Sequence, residues 1–140
     1  MKMRTLLEIA LQLSAFGQLC IALLNLNLVR MMGWREEVAG MSLLVREVFH
    51  VHAWFVSITL GIFAALTWRF AGEMAAGAEP IYRWVAMSIA FFWAVRTVLQ
   101  VVYYSGAHWR GIASKTAVHF ILLLIYGSWA ILYGFAALQQ

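Results

Sequence analysis

Four long apolar runs, roughly residues 6–29, 45–68, 81–104 and 116–138, dominate this 140-residue chain. Each is close to the roughly 20 residues that an α-helix needs to cross a hydrocarbon core. A backbone in lipid must satisfy its own hydrogen bonds, and a single run of this length does so only as a helix. The sequence therefore predicts an all-α membrane protein with four transmembrane helices. The links between runs, residues 30–44, 69–80 and 105–115, are short and each contains glycine. Short links make sequential neighbours antiparallel, so the expected arrangement is a single-domain, up-down-up-down four-helix bundle over residues 1–140 with both termini on one side.

The charges agree with this division. The chain has no Asp, and its six Glu and ten Lys and Arg fall mainly at the ends of the apolar runs. Its net charge of +4 is carried by basic residues spread singly, not gathered into a nucleic-acid-binding patch. The expected partners are the lipid bilayer, whose anionic headgroups supply the counter-charge, and other membrane subunits or further copies of the chain. Lys2 and Arg4 resemble the start of a signal peptide, but the apolar run continues to Val29 without a small-residue cleavage site, which predicts a retained first helix. Lys2, Arg4, Arg69 and Arg83 lie on the terminal side, and Arg30, Arg35, Arg46, Arg110 and Lys115 on the other. The totals nearly cancel, and the basic start before the first span tips the expectation toward termini in the cytoplasm and a multi-pass location in the cell inner membrane.

Local signals place the helix ends and the interfaces. Pro80 stands where its fixed φ suits a first helical position, and Ser42 and Ser114 are candidate caps for the second and fourth spans. Trp68, Tyr82, Trp84 and Tyr133 on the terminal side, and Trp34, Trp54, Tyr103, Tyr104 and Trp109 on the other, form two expected aromatic belts. Cys20 is the only cysteine, which excludes an internal disulfide and a thiolate metal cage.

Helical spacing sorts the polar residues inside the runs onto faces. The first span aligns Ser14, Gln18, Ala22 and Asn25; the second aligns Arg46, His50, Ala53, Ser57, Gly61 and Ala64. The third aligns Trp93, Arg96, Gln100 and Tyr103, and the fourth aligns His119, Leu123, Tyr126, Ala130 and Tyr133. Arg96 lies about eight residues from the expected end of its span, or roughly 12 Å deep, where an uncompensated charge costs several kcal/mol. Alternating helix direction would collect these groups on the side away from the termini.

Asn25, His50, Arg96, Gln100 and His119 are accordingly the candidate ligand-binding residues, with Arg46 and Tyr104 at the mouth. Three ligand chemistries suit them. His50 and His119 could ligate a haem b whose propionates meet Arg46, Arg96 or Tyr104. His50, His108 and His119 could hold a transition metal, although no HExxH spacing is present. A quinone, or another amphiphile with a carbonyl or anionic head, would find His, Arg, Gln and Tyr donors beside an apolar surface for its tail. His50 and His52 point about 200° apart on a helix, so only one of them faces inward. The expected function is thus binding of a redox-active or amphiphilic ligand, leaving open whether the chain is an enzyme. The alternative is a non-catalytic accessory or assembly subunit of a larger membrane complex, in which the same polar groups only fix helix packing.

Overall fold

The computed structural model describes residues 2–103 and 113–139, with side chains of the last helix described from residue 116. Six helices follow one another: α1 (Lys2–Leu26), α2 (Leu28–Met31), α3 (Arg35–Ala39), α4 (Leu43–Ala76), α5 (Pro80–Val102) and α6 (Ala113–Ala137). No strand occurs among the described residues. Four of the helices, α1, α4, α5 and α6, are long and apolar enough to cross a membrane.

The segments expected to be connections are more helical than the sequence predicts. Residues 30–44 contain the end of α2 and all of α3, and the helix expected to stop near Trp68 continues to Ala76. It does so across a break at Phe70, whose φ of −117° and ψ of 18° are not helical. The segment 71–76 reads Ala-Gly-Glu-Met-Ala-Ala, good helix formers around one glycine, so the backbone resumes the helix after the break.

Glycine stops the chain at two comparable points. Gly77 has φ +58°, with Gly77 N–H donating to Met74 O and Ala78 N–H to Glu73 O. Gly33 has φ +72°, with Gly33 N–H donating to Arg30 O and Trp34 N–H to Val29 O. These paired bonds are Schellman caps, and their left-handed residue is glycine because a Cβ is disfavoured there. Three residues after Gly77, Pro80 opens α5 with Glu79 as its extended N-cap residue, as the sequence indicates. Ser42 precedes α4, and its carbonyl accepts Arg46 N–H at 3.0 Å.

The chain divides into two compact units, Met1–Leu11 with Phe70–Gln140, and Gln12–Arg69. In the first, α5 and α6 run antiparallel: Arg83 near the start of α5 meets Ala137 near the end of α6, and Gln100 near the end of α5 meets His119 near the start of α6. In the second, α1 and α4 are joined by Asn25, whose Nδ2 donates to Ala53 O at 2.8 Å and to Ser57 Oγ at 2.9 Å.

The side-chain distribution is the reverse of a water-soluble domain. Ser14, Gln18, Ser57, Thr67 and Gln100 are buried, while Leu13, Phe16, Phe55, Phe91, Leu124 and Ile131 are exposed. Every buried side-chain polar atom among the described residues has a hydrogen-bond partner. Such an apolar exterior around satisfied polar groups is stable in hydrocarbon and a liability in water. Tyr133 departs from its expected place in an interfacial belt. It is fully buried, because its position on the inward stripe of α6 takes precedence over its nearness to the helix end. Trp68, Trp84, Trp54 and Tyr103 are exposed, as a belt requires.

Candidate functional site: a polar relay between α5 and α6

The most chemically distinctive cluster lies where the end of α5 faces the start of α6. Arg96 projects six residues before the last residue of α5, about 9 Å of helix rise, because α5 ends at Val102 and not at the expected residue 104. His119 lies six residues into α6, so the two arrive at similar height on antiparallel helices. Between them stands Gln100, which is buried.

Arg96 Nη1 donates to Gln100 Oε1 at 2.7 Å. The other end of the same amide, Gln100 Nε2, is 2.9 Å from His119 Nδ1. A guanidinium has only donors, so the atom of Gln100 facing it must be the oxygen, and the NH₂ must face the histidine. Gln100 Nε2 is therefore the donor and His119 Nδ1 the acceptor, which leaves the ring proton of a neutral His119 on Nε2. One fixed positive charge sets the orientation of an amide and, through it, the tautomer of an imidazole on the neighbouring helix.

An aromatic cluster supports the relay. Arg96 Cζ lies 4.9 Å from the centroid of the Tyr126 ring, a cation–π distance. Tyr126 stacks on Trp93 at 5.0 Å between centroids and 24° between planes. Trp93 also meets Trp129 edge-on at 4.6 Å. All three rings are buried. Thr97 Oγ1 donates back to Trp93 O at 2.7 Å, so its hydroxyl is satisfied by its own helix. The register that sets Gln100 opposite His119 also sets Trp93 opposite Tyr126.

The remaining candidates belong to the other unit. Asn25 is half-buried and gives its amide N–H groups to Ala53 and Ser57 on α4, an interhelical clamp. His50 is half-buried, and its Nδ1 is 2.8 Å from Arg46 O. Since a carbonyl only accepts, Nδ1 carries the proton and Nε2 the lone pair, the opposite tautomer to His119. Arg46 is half-buried and His52 exposed, in keeping with the expectation that only one of the paired histidines turns inward. Tyr104 and His108 lie outside the described residues. Among the described residues no group of three or more His, Cys, Asp or Glu side chains is placed to hold a metal ion.

The structure therefore brings Arg96, Gln100 and His119 together directly, and adds Tyr126, Trp93 and Trp129 as their support. Trp129 is outside the stripe expected from the sequence: ten residues beyond His119, it lies about 80° around the helix from it. No family model, curated protein or solved structure matches the chain.

Proposed function

We propose that this chain is a multi-pass protein of the cell inner membrane, an antiparallel four-helix bundle, that binds an amphiphilic ligand through a carbonyl-bearing head of the quinone type. The observation that carries the reading is the Arg96–Gln100–His119 relay, whose two ends, a guanidinium and an Nε2–H imidazole, are both hydrogen-bond donors. The complementary ligand is an acceptor. A quinone presents acceptor carbonyl oxygens on a ring and an apolar tail, and the exposed surfaces of α5 and α6 are apolar over Phe91, Val98, Phe120 and Leu124. In this role Arg96 supplies electrostatic stabilisation to the carbonyl oxygen and His119 a directional hydrogen bond. Gln100 positions both.

The test is a titration of the purified protein in lipid nanodiscs with a short-tailed benzoquinone, read by quenching of tryptophan fluorescence. Saturable binding by the wild type is expected, weakened about tenfold or more in Arg96→Leu and His119→Ala with helical content retained; a charge-assisted bond of 1.5–3 kcal/mol corresponds to such a factor. Equal binding by wild type and both variants would refute the assignment. An absorption spectrum and a metal assay on the same sample separate the other chemistries: a Soret band supports haem, and a stoichiometric metal supports an imidazole site. Absence of quinone, haem and metal binding favours the accessory-subunit reading.

A further inference from the structure

A second feature lies at the opposite end of the α5–α6 pair. The start of α5 and the end of α6 enclose a groove of about 300 Å³, lined by Pro80, Arg83, Trp84, Met87, Ala137 and Leu138. Arg83 Nε donates to Ala137 O at 3.0 Å. Ala137 is the last residue of α6, so its carbonyl has no acceptor role within the helix, and Arg83 satisfies it from the neighbouring helix. That single bond anchors the guanidinium, and its two terminal nitrogens make no hydrogen bond among the described residues. Arg83 is itself exposed.

We infer that this groove is a binding site for an anionic phospholipid, with the phosphate on the terminal nitrogens of Arg83 and an acyl chain running past Met87. Polarity changes along the groove in the order a lipid requires. The guanidinium stands one turn into α5, and Met87 one turn deeper, where α5 and α6 expose Met87, Phe91 and Ile131. Trp84 is 70% exposed beside the charge, the position an indole takes at a membrane interface. Held at Nε by a carbonyl, the guanidinium is pre-oriented, and a planar fork of two N–H groups matches two phosphate oxygens. Glu79, the carboxylate nearest to Arg83 in sequence, stands just before α5 and does not line the groove. The volume fits the phosphate and glycerol region of one lipid, not a whole molecule, so the chains would lie along the exposed helix surfaces. The chain's net charge of +4 favours the same sign of ligand.

This inference rests on insertion into a bilayer but not on the Arg96 cluster, so the two stand or fall separately. Flotation of the reconstituted protein with vesicles tests insertion by itself. Delipidated protein is then offered phosphatidylglycerol and phosphatidylcholine in equal amounts, and retained lipids are counted by native mass spectrometry. One phosphatidylglycerol is expected to be retained in preference to phosphatidylcholine. Arg83→Gln should reduce that preference roughly five- to tenfold, the range of one basic side chain on an anionic headgroup. Because Arg83→Gln also removes the bond to Ala137, Met87→Trp serves as the second variant: it fills the groove, leaves that bond in place and should lower retention with thermal stability unchanged. Equal retention of both lipids by the wild type, or undiminished retention by both variants, overturns the site. Displacement of the lipid by millimolar inorganic phosphate alone would show a simple anion site and overturn the lipid assignment.

Discussion

Gln100 is the residue on which the relay can be broken or reversed by single substitutions. Gln100→Leu is close in volume but removes the acceptor at 2.7 Å from Arg96 and the donor at 2.9 Å from His119. The first bond is charge-assisted and contributes about 1.5–3 kcal/mol; the second is neutral and contributes about 0.5–1.5 kcal/mol. Allowing for partial repair by water or by other partners of the half-buried Arg96, the net loss should be about 2–4 kcal/mol. Reversible unfolding in mixed micelles reads that difference. Gln100→Glu provides the sharper comparison. Its carboxylate accepts from Arg96 as well as or better than the amide, but offers nothing for His119 Nδ1 to accept. The imidazole recovers the bond by carrying a proton on Nδ1, through transfer from Nε2 or uptake of a second proton. This variant should therefore remain within about 1 kcal/mol of wild type while Nδ1 becomes protonated. ¹⁵N NMR of labelled histidine distinguishes the two nitrogens: Nδ1 of His119 is expected to be of the unprotonated, pyridine type in wild type and of the protonated, pyrrole type in the variant. A protonated Nδ1 in the wild-type protein, or no stability change in Gln100→Leu, would refute the relay.

Three further substitutions test the framework. Asn25→Ala removes both bonds to α4, at 2.8 and 2.9 Å, and should destabilise the unit containing residues 12–69 by about 1–2 kcal/mol in the same unfolding assay, hydrogen bonds within membranes being modest. Gly77→Ala places a Cβ on a residue with φ +58° and 2.8 Å from Gln139 O, so a cost of about 2 kcal/mol or more is expected, readable as a lowered Tm. Tyr126→Phe keeps a ring under Arg96 and should cost less than Tyr126→Leu, which removes both that contact and the stack on Trp93 and should cost about 1–3 kcal/mol.

Much of this organisation is legible in the residues alone because helical periodicity survives inside an apolar run. The stripe of Ser14, Gln18 and Ala22 is buried, as is Ser57 on the stripe of α4, and Tyr126 and Tyr133 on that of α6. A polar side chain in a lipid-facing position costs too much to be placed at random, so the few present mark the inward face. Helix ends were less legible. Gly72 and Gly77 both lie in the link expected at residues 69–80, where glycine content alone does not say which of them ends the helix. Only Gly77 has the left-handed φ; Gly72 is helical, and a Cβ there would come within 3.3 Å of the Glu8 carboxylate. Composition cannot separate these two glycines because the difference lies in what approaches each one. Nor could it reveal that Arg83 reaches Ala137, which depends on the register of α5 against α6, a quantity that hydrophobic patterning leaves open. The order of bonds within the relay was likewise out of reach. Arg96 and Gln100 are four residues apart and predictably adjacent, but the partner of Gln100 on α6 follows only from that register.

His119 in the relay and His50 in the other unit bear on ligand chemistry in opposite ways, and their hydrogen bonds show why. A neutral histidine that ligates a metal through Nε2 carries its proton on Nδ1, usually donated to a carbonyl or carboxylate. His50 has this arrangement, with Nδ1 on the carbonyl of Arg46 in its own helix. His119 has the reverse, because Gln100 can offer its Nδ1 only a donor while Arg96 holds the amide oxygen. Ligation of haem iron or another metal at His119 Nε2 would require that amide to turn over, setting its NH₂ against a guanidinium that cannot accept, or require Nδ1 to give up the bond altogether. A carbonyl acceptor requires neither change. The strongest constraint on the proposed ligand is thus a glutamine with no titratable group, held in orientation by the charge of a neighbour one helical turn away.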